Sequence, residues 1–232
     1  MGYRLRRTGS IQKSVRKIAI EQIDKAIDEI RDDQIDHEET IHQVRKRCKK
    51  LRGLIRLVRP SFADYKRENT FFRDTARELS HVRDAQVTLE TFDALMKHVD
   101  DDSAAKRFAR VRDALAERAT RVTTEKTEPD ERLQATLRKL QRARRRAKRR
   151  KIEHSGFRAL EGGLTKTYKR ARRAMRTAYG KPSGENFHDW RKRVKYHWYH
   201  LRLLRQIWQP MMQVGRSAAD ELGDLVGDDH DL

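Results

Sequence analysis

Apolar residues recur every three or four positions along nearly the whole of this 232-residue chain, and its four prolines, Pro60, Pro129, Pro182 and Pro210, fall at breaks in that rhythm. A period near 3.6 belongs to a helix with one buried face, and proline cannot continue a helix, so the pattern reads as helices with marked ends. Alternating β-branched runs bounded by turn residues are missing, while Ala, Leu, Arg, Lys, Glu and Gln, the strong helix formers, dominate. An all-α fold is therefore expected, with helices near 10–32, 37–59, 62–80, 83–99, 103–126, 130–153, 155–178, 185–207 and 211–226. Ser61, Ser103 and Asp130 are the expected N-caps, and the run from Gly180 to Gly184 is the clearest loop.

A chain of this length can bury a sizeable core, but its charge is unusual. Lys and Arg number 55 against 35 Asp and Glu, a net +20, and mean hydropathy is −0.99. Such a chain attracts polyanions. No apolar stretch approaches the ~20 residues that span a bilayer, and the N-terminus lacks the apolar segment of a secretory signal. A soluble, cytoplasmic protein with no membrane partner is expected. The single cysteine, Cys48, cannot form an internal disulfide and falls at an apolar helical position, so it reads as a reduced core residue. Residues 1–130 carry +5 and residues 131–232 carry +15, and these segments are taken as the N-terminal and C-terminal bundle halves. The densest stretch, Arg138 to Lys151, has ten basic residues in fourteen and no acid. It lacks the opposite-charge pairs that support an exposed helix, so it either faces a polyanion or is a solvated tract that frays.

Two segments 146 positions apart share a pattern: the one beginning His42-Gln43-Val44-Arg45-Lys46-Arg47 and the one beginning His188-Asp189-Trp190-Arg191-Lys192-Arg193. Aligned over 42–59 and 188–205 without gaps, eight of eighteen positions are identical. Composition bias inflates Arg and Lys matches, yet it does not place two histidines in phase with them. The repeat reads as an internal duplication. On a helix at 100° per residue, His42, Arg45, Lys46, Lys49, Arg52 and Arg56 share one stripe, and Val44, Cys48, Leu51, Leu54, Ile55 and Val58 share the opposite one. The second copy sets His188, Arg191, Lys192, Lys195, Tyr199 and Arg202 against Trp190, Val194, Leu201 and Leu204. Each helix is expected to dock by its apolar side and to offer about three turns of cation.

Arg presents a planar fork for two phosphate oxygens, Lys a mobile point charge, and His a ring N–H that gains a proton beside an anion. Exposed helix faces normally mix both signs, because like charges at i, i+3 and i+4 cost a few tenths of a kcal/mol each. No Asp or Glu interrupts the row from Arg45 to Arg59. Donors spread over about 14 residues, or ~20 Å at 1.5 Å per residue, suit an extended anion better than a single phosphate.

At these residues the sequence resembles the CHAD family, the conserved-histidine α-helical domains, whose mark is a His followed by Arg-Lys and further cations at helical spacing in both halves. Further matches are the segment Leu79-Ser80-His81-Val82-Arg83-Asp84, its degenerate partner Leu222-Gly223-Asp224-Leu225, and the helix from Tyr168 to Arg173. The resemblance implies two four-helix bundles related by a pseudo-twofold axis. Their His-bearing helices would line a basic groove that binds inorganic polyphosphate, with Arg172 and Arg173 closing its side and Arg83 and Tyr168 contributing. It also implies association with polyphosphate granules. Two departures stand out: the second half ends where the first continues past Asp84, so it reads as truncated, and Trp198 stands at the position matching Arg52.

Other chemistries are weakly supported. His188 and His197 fall on opposite sides of one helix, so three convergent metal ligands with His200 are not expected. The acids at 100–102 and from Asp220 to Asp231 lack a calcium-loop spacing, and no phosphate-binding loop, nucleophile elbow or zinc-protease helix is present. No cofactor and no catalysis are expected. Hydrolysis or synthesis of polyphosphate would need acids holding divalent metals beside the chain, and the basic stripes are read as holding none. The rival reading is a sequence-independent nucleic-acid backbone binder, suggested by the +20 charge and the Arg138 to Lys151 tract, with weak non-specific binding as its minimal form.

Overall fold

A computed structural model describes the backbone of residues 2–99, 102–124 and 127–231 and the side chains of 2–79, 88–99, 107–120 and 131–226. Within these limits the fold is all-helical. The helices are α1 (Ile11–Arg31), α2 (His37–Leu57), α3 (Tyr65–Glu78), α4 (Ser80–Val99), α5 (Asp102–Thr124), α6 (Thr127–Arg149), α7 (Arg158–Gly180), α8 (Gly184–Leu204) and α9 (Gln209–Asp231). The starts of α1, α2 and α8 are fixed by side chains: Ser10 accepts from the amide of Lys13, Asp36 from Glu39 and Ser183 from Asn186.

Ser61 is not an N-cap. Pro60 forces a short 3-10 turn over Arg59–Ser61, Ser61 is buried there, and α3 begins only at Tyr65 after Asp64. The caps expected at Ser103 and Asp130 lie outside the described side chains. Pro129 and Pro210 sit inside the first turns of α6 and α9, where the missing amide is not needed.

One core gathers α1, α2, α3 and α6, and it also takes Leu160 of α7, Leu203 and Leu204 of α8, and Tyr3 and Leu5 from the arm before α1. Cys48 is fully buried within it, and burial pushes its thiol up to about 12. A second, smaller core joins α7, α8 and α9 through Ala174, Ala178, Trp190, Val194, Ala219 and Val226. α6 follows residue 126, yet its Leu133, Leu137 and Leu140 pack in the first core with α1. α4 and α5 pack mainly on each other.

The basic tract on α6 is a docking surface. Its opposite charges come from other helices: Arg146 makes a two-pronged bond to buried Glu68 (2.8 and 3.0 Å), and Arg150 reaches Glu68 (3.0 Å) and Asp64. Arg144 pairs with Asp24 of α1 and Lys139 with Glu78 of α3. These pairs tie four of the tract's ten cations to other helices, and α6 is helical to Arg149; the other six, Arg138, Arg142, Arg145, Lys148, Arg149 and Lys151, are exposed.

Two glycines let helices approach α2. A Cβ on Gly163 of α7 would stand 1.9 Å from the carbonyl oxygen of Leu57, and one on Gly53 would stand 2.9 Å from Cβ of Tyr199 of α8. At the second crossing, Nε2 of buried His200 donates to the Gly53 carbonyl (3.1 Å) and the Tyr3 hydroxyl donates to the Lys50 carbonyl (2.7 Å). Burial drops the His200 imidazole to about 3, only partly opposed by its bond to Gly53, with His197, Arg59 and Arg56 adding to the drop.

Gly163→Ala therefore forces α7 off α2 and is expected to cost at least about 1–3 kcal/mol in urea unfolding. Gly180→Ala, where a Cβ meets nothing within 4 Å, should change stability by under about 0.5 kcal/mol. A second expectation follows from linkage. The unfolded chain protonates His200 near its ordinary 6.5 and the folded protein only near 3, so stability is lost as pH falls across that window. His200→Gln, which keeps a donor for Gly53, should show a shallower fall in urea midpoint from neutral pH to about pH 4.

Candidate functional site

The cationic stripes of α2 and α8 open onto one cleft. The helices touch at Gly53 and Tyr199, and beside that crossing lies a space of about 690 Å³. Arg45, Lys49, Arg52 and Arg56 line it from α2, and His188, Arg191, Lys192, Lys195 and Tyr199 line it from α8. Apolar positions opposite these stripes fix the phase: Val44, Cys48, Leu51 and Leu54 are buried in the first core, Trp190 and Val194 in the second.

Four lining residues were not among those singled out as ligands from sequence: Asp189, Arg193, Tyr196 and Trp198. Tyr196 is the floor under two guanidinium groups, with Arg56 4.1 Å and Arg52 5.5 Å from its ring centre. Helical phase by itself is compatible with packing at the edge of the core. Arg193 was legible as an identity of the repeat, matching Arg47. Asp189 corrects the view that the stripes hold no acid, since it bonds Arg193 (3.2 Å) and lies 3.7 Å from Lys192.

The remaining expected residues lie elsewhere. His42 is one turn ahead of Arg45 and outside the cleft lining, and Lys46 is exposed beside it. Arg202 lies over the Trp198 ring (5.2 Å) beyond the end of the lining. Tyr168 packs against His197 (5.5 Å), whose imidazole is pushed down by burial. Arg172 and Arg173 do not close the cleft; they line a separate concavity with Lys169 and Arg176 on the outer side of α7. The reason is that α7 meets α2 through Gly163 and α8 through Ala174 and Ala178, which turns the arginines between them outward. The side chain of Arg83 lies outside the described residues.

The two walls differ electrically. On α8 the cations have internal partners: Lys195 bonds Asp224 (2.9 Å) and Asp220 (3.3 Å) of α9, and Arg191 donates to the Gly223 carbonyl (3.2 Å). On α2, Arg52 reaches only the amide oxygen of Asn69 at 3.4 Å besides the Tyr196 ring, and burial pulls its guanidinium below the ordinary value. Arg56 is only 8% exposed, deeper than a surface stripe requires, and its Nε has no hydrogen-bond partner. Next to it, Arg59 bonds Thr167 (2.9 Å) and the Arg56 carbonyl (3.3 Å), and burial lowers it too. Among the described residues no carboxylate pairs with Arg52, Arg56 or Arg59. The buried indole N–H of Trp198 is likewise unpaired.

Chemically, the cleft supplies eight cationic side chains against one carboxylate, two of them, Arg52 and Arg56, held on the Tyr196 ring. Among the described residues no three His, Cys, Asp or Glu side chains come together in a way that could hold a metal ion, and no helix is long and apolar enough to cross a membrane. Comparison with known proteins finds no match among curated proteins or solved structures. The family model for the CHAD domain matches residues 17–232, which takes in every residue lining the cleft. With a match over nearly its whole length, on an all-helical frame, the chain belongs to the CHAD domain family.

Proposed function

We propose that the protein binds inorganic polyphosphate in the cleft between α2 and α8, as a binding module that does not turn the chain over. The observation that carries this reading is the pair of half-buried Arg52 and buried Arg56 over Tyr196, with no carboxylate beside either among the described residues. A charge taken out of water costs several kcal/mol unless an opposite charge meets it, and a phosphate oxygen supplies that partner. Arg45 to Arg56 spans eleven residues of helix, roughly 16 Å at 1.5 Å per residue, so the donors match a row of phosphates. Family membership is consistent with this ligand. Nucleic-acid backbone is the competing polyanion. Of the tract that argues for it, four of ten cations are engaged by Asp24, Asp64, Glu68 and Glu78, and the competition experiment below decides between the two ligands.

Lys49→Glu and Arg191→Glu should each weaken long-chain polyphosphate binding about tenfold or more, near 1.4 kcal/mol, with an unchanged helical circular-dichroism signal. Unaltered affinity in both would remove the cleft from the site. Duplex DNA or RNA at equal phosphate concentration and salt should fail to displace the polyphosphate, and release of orthophosphate by the purified protein would contradict the non-enzymatic reading. The α9 acids give a test of opposite sign. Asp220→Asn with Asp224→Asn frees Lys195, and affinity should rise several-fold with a steeper dependence on salt.

A further inference from the structure

The arm before α1 is pinned where the cleft ends. Tyr3 packs edge-on against Tyr199 (6.0 Å between ring centres), and the Leu5 amide donates to the Leu203 carbonyl (2.8 Å). With Tyr3 and Leu5 buried, the alternate residues Arg4 and Arg6 are exposed, as an extended strand of chain dictates. Beside them is a concavity of about 550 Å³, lined by Arg4, Arg6, Arg7 and Lys17 together with the start of α1. Its one lining carboxylate, Glu21, bonds Lys25 outside it (3.0 Å). The positive end of the α1 dipole adds to the same field.

Arg202 links this surface to the cleft. It lies over Trp198, a cleft residue, and its charge acts both on Lys50 and on Arg205, which also feels Arg4 and Arg216. Gly2 of the arm is close enough to Arg205 that a Cβ there would stand 3.4 Å from its guanidinium. Cationic groups thus continue from the Trp198 end of the cleft past Arg202 and Arg205 to the arm. Arg4, Arg6 and Arg7 precede residue 17, where the family match begins, while Lys17, Glu21, Gln206 and Gln209 of the same surface lie within it.

We propose that the N-terminal arm is a second cationic station on the polyanion track, so that a phosphate chain filling the cleft continues past Arg202 onto Arg4, Arg7 and Lys17. This rests on the polyphosphate reading of the cleft, and it adds a length requirement: chains confined to the cleft do not reach the arm. The arm's anchors, Tyr3 and Leu5, are separate from its cations, so the cations can be neutralised without releasing it.

The test compares full-length protein with Arg4→Gln/Arg7→Gln, and with that pair plus Lys17→Gln, using tripolyphosphate and long-chain polyphosphate as probes. For long chains the expected result is a loss of about tenfold in affinity, with a log–log salt slope shallower by about two for the pair and three for the triple variant. Tripolyphosphate affinity and the melting temperature should not change. Long-chain affinity that stays at the wild-type value, or equal losses for both probes, overturns the inference. Lys49→Glu, run alongside, reports on the cleft separately: loss of tripolyphosphate binding there sustains the cleft whatever the arm variants do.

Discussion

The contact between α2 and α8 at Gly53 sets the geometry on which the rest depends. Without a Cβ at that position the two backbones come close enough for His200 to reach the Gly53 carbonyl, and Tyr199 and Tyr3 close over the same spot. This fixes the relative height of the two cationic stripes and leaves the cleft beside the crossing. A bulkier residue would separate the helices, expose the His200 bond and widen the space over which Arg52 and Arg56 share Tyr196. Position, charge spacing and core packing are thus coupled through one glycine.

A net charge of +20 does not by itself make a binding surface, and the molecule shows why. On and just after α6, Lys139, Arg144, Arg146 and Arg150 meet Glu78, Asp24, Glu68 and Asp64 and act as an internal fastening between helices. On α2 the row from Arg52 to Arg59 is enclosed by α7 and α8, and its compensation is limited to rings, a side-chain amide, a hydroxyl and a carbonyl. Neutral partners stabilise a desolvated guanidinium less than a carboxylate does. Arg144, Arg146 and Arg150 meet an acid on another helix, whereas among the described residues Arg52, Arg56 and Arg59 meet none.

That difference explains how far the sequence could be read. Helical phase placed His188, Arg191, Lys192 and Lys195 opposite Trp190 and Val194, and Arg45, Lys49, Arg52 and Arg56 opposite the core positions of α2; these two groups share the cleft. Phase describes one helix at a time, so it could not show that the partners of Arg144, Arg146 and Arg150 stand 78 to 120 residues away. For the same reason the outward turn of Arg172 and Arg173 was hidden, because it follows from Gly163 meeting the Leu57 carbonyl. Asp189 was visible beside His188 but was passed over among the cations around it. The stripe recurs on α2 and α8, but the neighbours of its two copies differ.

Those neighbours make the walls unequal in what an arriving anion gains. At Lys195 a phosphate must displace Asp220 and Asp224, exchanging one anionic partner for another, so the gain is the difference between two similar attractions. At Arg56, buried and without a carboxylate partner among the described residues, a phosphate oxygen at its exposed edge would bring the first anionic partner, and the desolvation already incurred in folding is not incurred again on binding. The proposed affinity is therefore concentrated on the α2 wall. On the proposed reading, the α8 wall with its exchangeable carboxylates would set how steeply binding depends on competing charge.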